Sequence, residues 1–159
     1  MKTFITLCLL FILGGTLGWT LELFFRRIVH KKWVNPGFLA GPCLPLYGTG
    51  VVCLYLICSI DYGFIENEFL RAIFVIFIIT VSMTLVEYIT GLIFIKGMKV
   101  KLWDYSDRPG NIQGIICPLF TFFWGLIGAA YYIFLHPLFV KAVNWINYNE
   151  IYSFFLGIY

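Results

Sequence analysis

Two carboxylates, Glu22 and Glu87, stand inside otherwise apolar runs of this chain. In a hydrocarbon setting such a group is costly unless it is paired, protonated or facing water, so it marks either an ion or proton path or polar glue between helices. Arg26 follows Glu22 by four residues, the spacing of an ion pair on one helix face. Glu87 has no cation three or four residues on. Thr80, Thr84, Glu87 and Gly91 recur at three- and four-residue steps and share one face, with Tyr88 beside it. A third carboxylate, Asp104, sits between Trp103 and Tyr105 in the most polar part of the chain. Carboxylates of this kind can bind a cation or pass protons. One of them can also act as general base beside Arg26 or Arg27, whose guanidinium groups suit a phosphate.

The elements that position these groups come in two copies. A Gly/Pro-rich stretch, Asn35 to Gly48, recurs at a shift of 73, which lays Pro36, Gly37, Gly41, Pro45 and Leu46 onto Pro109, Gly110, Gly114, Pro118 and Leu119, and Tyr47 onto Phe120. Each copy is preceded by a tryptophan (Trp33, Trp103) and, further upstream, by one of the embedded glutamates. Prolines interleaved with glycines cannot form a regular helix throughout. Broken backbone at membrane depth is tolerated where it is buried in protein or lines a cavity, and in transporters such breaks build binding sites. The pattern predicts two parallel hairpin repeats, about 3–60 and 72–135, with Asn35, Gly41, Tyr47, Asn111 and Gly114 at the interrupted lead-ins. Glu22 and Glu87 are then expected to face each other across a pseudo-twofold axis along the membrane normal.

With 61% hydrophobic and 12% charged residues and a mean hydropathy of +0.91, the chain departs from soluble composition. Four stretches, Thr3–Phe25, Phe38–Ile60, Ala72–Ile95 and Ile112–Leu135, are long enough for a hydrocarbon core of about 30 Å at about 1.5 Å per residue. Continuous rather than alternating apolarity favours helices over barrel strands. The expected fold is therefore an all-α membrane protein of about four transmembrane helices in a single bundle, residues 1–137. Residues 138–159 are expected to form a C-terminal amphipathic or short fifth helix, with Ile151–Tyr159 too short to span. The first span is too long for a secretory h-region and is followed by no A-x-A-like site, so it is read as a helix and not as a signal peptide.

Basic residues gather in the loops 26–37 and 96–111, which places those loops in the cytoplasm and the N-terminus outside. A net charge of +3 spread over helix ends suits lipid headgroups and gives no footprint for nucleic acid. The five cysteines all lie in apolar spans without a C-x-x-C pair, so neither a disulfide framework nor a metal site is expected, and no cofactor is implied. There is no G-x4-G-K-[S/T], G-x-S-x-G or H-E-x-x-H. The chain is therefore not an ATPase by itself, and no catalytic residue is assigned.

Glu22, the run Asn35 to Pro42 with Pro45 to Gly48, Glu87-Tyr88 with Gly91, Trp103 to Ser106, Asn111 with Gly114, and Trp124-Gly125 resemble the bacterial "putative ABC-transporter type IV" membrane proteins over roughly residues 10–135. The resemblance implies a multi-pass protein of the bacterial plasma membrane with a permease-type transport role. On this reading Glu22, Arg26, Asn35, Gly41, Tyr47, Glu87, Tyr88, Asp104, Asn111 and Gly114 are the candidate substrate- or ion-binding residues, near the cytoplasmic helix ends. Four short helices enclose little volume, so a second copy or a separate ATPase subunit is the expected partner besides the bilayer. The alternatives are an intramembrane enzyme acting on a lipid or lipid-linked substrate, and a structural or accessory subunit in which the glutamates are helix glue. Asp104 separates the first of these, since an enzyme needs it within reach of Glu22 or Glu87.

Overall fold

The computed structural model of the chain describes residues 2–37, 39 and 41–149. Among them the regular structure is helical, with one isolated bridge between Ile112 and Ile116. The helices are α1 (Lys2–His30), α2 (Pro45–Cys58), α3 (Glu68–Leu92, running on as a π-helical segment Ile93–Met98), α4 (Pro118–Ala130) and α5 (His136–Asn149), the last two joined by a π-helical segment Tyr131–Leu135. The described backbone forms two compact units. One runs from the N-terminus through Val52 and takes in the helix from Leu138 onward; the other is Cys53–Pro137.

In the first unit α1 and the start of α2 approach closely. A Cβ on Gly48 would lie 2.5 Å from the Phe11 carbonyl oxygen, and one on Gly14 would lie 2.8 Å from Val51 Cγ2. Small residues let helix backbones meet where lipid supplies no hydrophobic drive to associate. Leu9, Leu10 and Thr6 on α1 are buried, as is Val143 on α5. After His30 the chain turns at Lys31, whose left-handed φ of 60° and N–H bond to the Arg27 carbonyl end the helix in the usual C-terminal manner.

The described residues between 31 and 44 are not helical, and α2 starts at Pro45, where a missing N–H costs a helix nothing. The second span expected at Phe38–Ile60 is therefore shorter. Its 14 residues extend about 21 Å, less than the ~30 Å hydrocarbon core. Among the described residues, three helical stretches are long and apolar enough to cross a membrane: Thr3–Val29, Glu68–Met98 and Pro118–Ile146. Of the about four transmembrane helices expected, three are thus long enough among the described residues, and α2 is a shorter apolar helix.

The second unit opens with the outer connection. Asn67 Oδ1 accepts the Leu70 N–H at 3.0 Å and caps α3. Along α3 the buried residues are Val75, Ile79, Met83, Glu87 and Gly91, one every four residues, so the stripe facing α4 carries the glutamate in series with apolar side chains. A Cβ on Gly128 of α4 would stand 2.5 Å from Ile79 Cγ2, which sets the approach of the two helices.

Two further corrections concern α4. The fourth stretch was expected to begin at Ile112, but residues 112–117 fold as a turn closed by the Ile112–Ile116 bridge, and helix begins at Pro118. Nor does helix stop at His136-Pro137. Pro137 has no N–H, and its ring crowds the carbonyl four residues back. The π-helical turn Tyr131–Leu135 widens the backbone there, and helix continues through Asn149. The C-terminal amphipathic segment expected as a separate element is, over the described residues, the continuation of α4. Phe38, Ala40 and the end Ile151–Tyr159 lie outside the described residues.

Candidate functional site

Glu87 is only 5% exposed. Tyr105, from the loop between α3 and α4, donates its hydroxyl to Oε1 at 3.1 Å, and Trp124 of α4 donates Nε1–H to Oε2 at 2.9 Å. Both donors are neutral, and among the described residues no ion pair reaches this carboxylate. Phe120 stacks on the Tyr105 ring with centroids 4.2 Å apart and planes within 12°, which fixes the direction of the phenol. One turn up α3, Thr84 Oγ1 donates to the Thr80 carbonyl at 2.8 Å and lies 3.3 Å from Thr121 Oγ1 on α4. The polar face expected of Thr80, Thr84 and Glu87 is thus the seam between two packed helices. Tyr88 is half-buried beside it.

The loop that brings Tyr105 to Glu87 is held by its own backbone. Trp103 Nε1 donates to the Ile115 carbonyl at 2.8 Å, and Tyr105 N donates to the Gly114 carbonyl at 2.8 Å. Asn111 braces the turn three ways, its Oδ1 accepting the Gly114 N–H and its Nδ2 donating to the carbonyls of Arg108 and Ser106. Gly114 has φ +65°, and a Cβ there would fall 2.5 Å from Ser106 Oγ and 2.8 Å from Asp104 Oδ1. Only glycine meets both conditions.

Asp104 accepts from Ser106 N–H at 2.9 Å and from Ser106 Oγ at 2.6 Å, and pairs with Lys101 at 2.7 Å. The Lys101 bond first, then the two from Ser106, hold its carboxyl down to about 2. Exposed and engaged by its neighbours, Asp104 organises the loop; the partners it shows are Lys101 and Ser106, not Glu87.

Glu22 stands in a different setting. Its Oε1 accepts Arg26 Nε–H at 3.2 Å, and its Oε2 accepts the Tyr47 hydroxyl at 3.2 Å, with the side chain about a quarter exposed. One turn earlier on α1, Trp19 Nε1 donates to Asn35 Oδ1 at 2.7 Å; the same oxygen accepts Gly37 N–H, and Asn35 Nδ2 donates to the Leu39 carbonyl. Arg27 lies over the Trp33 ring at 5.5 Å, and Phe24 meets the same ring edge-on. The end of α1 is therefore an ion pair with an aromatic and amide clasp, the composition of a membrane-boundary anchor. Gly41 faces open space.

Of the candidate residues, Glu22, Arg26 and Tyr47 come together with Asn35 close by in the chain, Glu87 stands at the α3–α4 seam with Tyr88 next to it in sequence, Asp104, Asn111 and Gly114 share the loop, and Gly41 joins none of these groups. Reasoning from sequence missed Trp19, Tyr105, Phe120 and Trp124. A signal existed for Trp124, since an indole N–H in an apolar span needs an acceptor and Glu87 is the carboxylate within the neighbouring span. Two cavities, one against Trp103 and Ile115 and one lined by Leu9, Leu10 and Val143, have room for about 10 and 20 Å³, the size of single waters.

No curated protein and no solved structure matches the chain. A family model described as "Putative ABC-transporter type IV" matches residues 9–159, which takes in both glutamates, the loop and all the described helices from the first turns of α1 onward. The chain belongs to that "putative ABC-transporter type IV" family.

Proposed function

We propose that the chain is the membrane-embedded component of a transporter and that Glu87 is its working group, taking up and releasing a proton. The observation that carries this reading is the contrast among the three carboxylates. Glu22 is paired with Arg26, and Asp104 with Lys101. Glu87 is buried and held by two neutral donors, so its charge is the one that can change without breaking an ion pair. Family membership supports the transport role. The absence of a G-x4-G-K-[S/T] sequence makes a separate ATPase the energy-supplying partner on this reading. The loop 96–111, with Lys99, Lys101 and Arg108, faces the cytoplasm of a bacterial plasma membrane in the same reading.

The helix seams support an internal repeat in a revised register. The 73-residue shift that relates the two Gly/Pro stretches also carries the α1–α2 contacts Phe11 with Gly48 and Gly14 with Val51 to the α3–α4 contacts Thr84 with Thr121 and Glu87 with Trp124. In this register Glu87 stands where the first hairpin has Gly14, and Glu22 corresponds to Ile95. The two glutamates are then not repeat mates. One hairpin uses its seam for close glycine packing, and the other has built a carboxylate and an indole into the same place.

Proteoliposomes containing a trapped pH-sensitive dye, given a proton gradient, test the assignment. Glu87→Gln should lower proton flux on the order of tenfold or more, while Glu22→Gln should leave it within about threefold. Equal flux in wild type and Glu87→Gln would remove Glu87 from the role.

A further inference from the structure

We infer that Tyr105 is the port through which the proton reaches Glu87 from the loop side, and that Trp124 is a positioning residue that decides which carboxylate oxygen receives it. This rests on the reading of Glu87 as the titrating group.

An indole N–H donates and cannot accept. Trp124, 2.9 Å from Oε2, therefore requires that oxygen to remain an acceptor whatever the charge on Glu87. Protonation is directed to Oε1, and Oε1 is the oxygen that faces Tyr105 at 3.1 Å. A phenol both donates and accepts. With Glu87 charged, Tyr105 donates to Oε1. When a proton arrives from the loop side it bonds to the phenolic oxygen as the original phenolic hydrogen passes to Oε1. Tyr105 is left neutral and accepting from the new Oε1–H. One O–H bond forms and one breaks on Tyr105, one O–H bond forms on Glu87, and a single proton has moved.

The surroundings fit this direction of travel. Tyr105 lies between the exposed residues Asp104 and Ser106, whereas Glu87 and the seam beyond it are buried. The stack on Phe120 and the bond from Tyr105 N to the Gly114 carbonyl hold the ring while its hydrogen bond reverses. From α4 the group facing Glu87 is the non-titrating Trp124; from the loop it is Tyr105, the titratable group in contact with it among the described residues.

The experiment is time-resolved infrared spectroscopy of the full chain in nanodiscs after a pH jump, following the C=O stretch of a protonated carboxyl group that is missing in Glu87→Gln. Tyr105→Phe keeps the ring stack and removes the hydroxyl. Its Glu87 band should still reach full intensity, but on the order of a hundredfold more slowly. Trp124→Phe removes the donor that reserves Oε2 and should shift the midpoint of the titration. The wild-type rate should also fall in deuterated water, a measurement that needs no variant to fold. A Tyr105→Phe rate equal to wild type, or no slowing in deuterated water, would overturn the port. No titrating band in wild type would instead overturn the underlying assignment of Glu87.

Discussion

Trp124 and Glu87, 37 residues apart in sequence, meet across the α3–α4 seam with the indole N–H 2.9 Å from Oε2. This bond joins a carboxylate on the buried stripe of one helix to a donor that has no alternative hydrogen-bonding mode. It therefore dictates what each substitution at the pair does. Glutamine at position 87 keeps a carbonyl oxygen for Trp124 and offers an N–H to the Tyr105 hydroxyl, so Glu87→Gln should fold within about 1 kcal/mol of wild type. Glu87→Ala leaves the indole unsatisfied and should cost about 1–3 kcal/mol. Thermal unfolding in detergent, followed by intrinsic tryptophan fluorescence, measures the difference.

Gly114 offers a test of the loop. Its φ of +65° and the crowding of its missing Cβ by Ser106 and Asp104 make Gly114→Ala doubly unfavourable. A non-glycine residue in the left-handed region costs about 1–3 kcal/mol. Hydrogen exchange should show the loss at Tyr105 N–H, which is bonded to the Gly114 carbonyl, with α1 unaffected.

Asp104 predicts how the loop responds to acid. Its carboxyl lies at about 2 in the folded loop, below its ordinary 3.8, with the Lys101 bond as the leading cause. A depressed carboxyl contributes stability above the unfolded value and loses it as pH falls through the folded one. The loop should therefore keep its structure down to about pH 4 and loosen between about 4 and 2. Asp104→Asn should abolish that acid response, as read from hydrogen exchange at Ser106 N–H.

The first hairpin should fail in a different way. Gly48→Leu drives a side chain into the Phe11 carbonyl, a backbone atom that cannot swing aside. Overpacking of this kind costs about 1–3 kcal/mol. Cysteine crosslinking between Gly14 and Val51 positions should drop in that variant and remain in Glu87→Gln.

Much of the architecture was legible in the chain itself. Hydropathy and length identified α1 and α3, and the i, i+4 spacing of Glu22 and Arg26 gave their ion pair. The prolines at 36, 42 and 45 announced a break, but where helix would resume depended on which proline took the first helical position. The start at Pro45 shortens α2 below a full span. The passage through His136-Pro137 was not readable, because it depends on a π turn absorbing the missing N–H. At the site, Glu87 was visible as an unpaired carboxylate, and its partners were not. Tyr105 is 18 residues away and Trp124 is 37, and the fold of the Lys99 to Cys117 loop decides whether either arrives.

The central claim is that Glu87 exchanges a proton. An equilibrium infrared titration of the chain in nanodiscs, with Glu87→Gln and Glu22→Gln as references, measures it directly. The account predicts one protonated-carboxyl band that rises and falls reversibly with pH, persists in Glu22→Gln and is absent in Glu87→Gln. A band that is lost in Glu22→Gln instead, or a Glu87 that stays in one protonation state wherever the protein is folded, would contradict it.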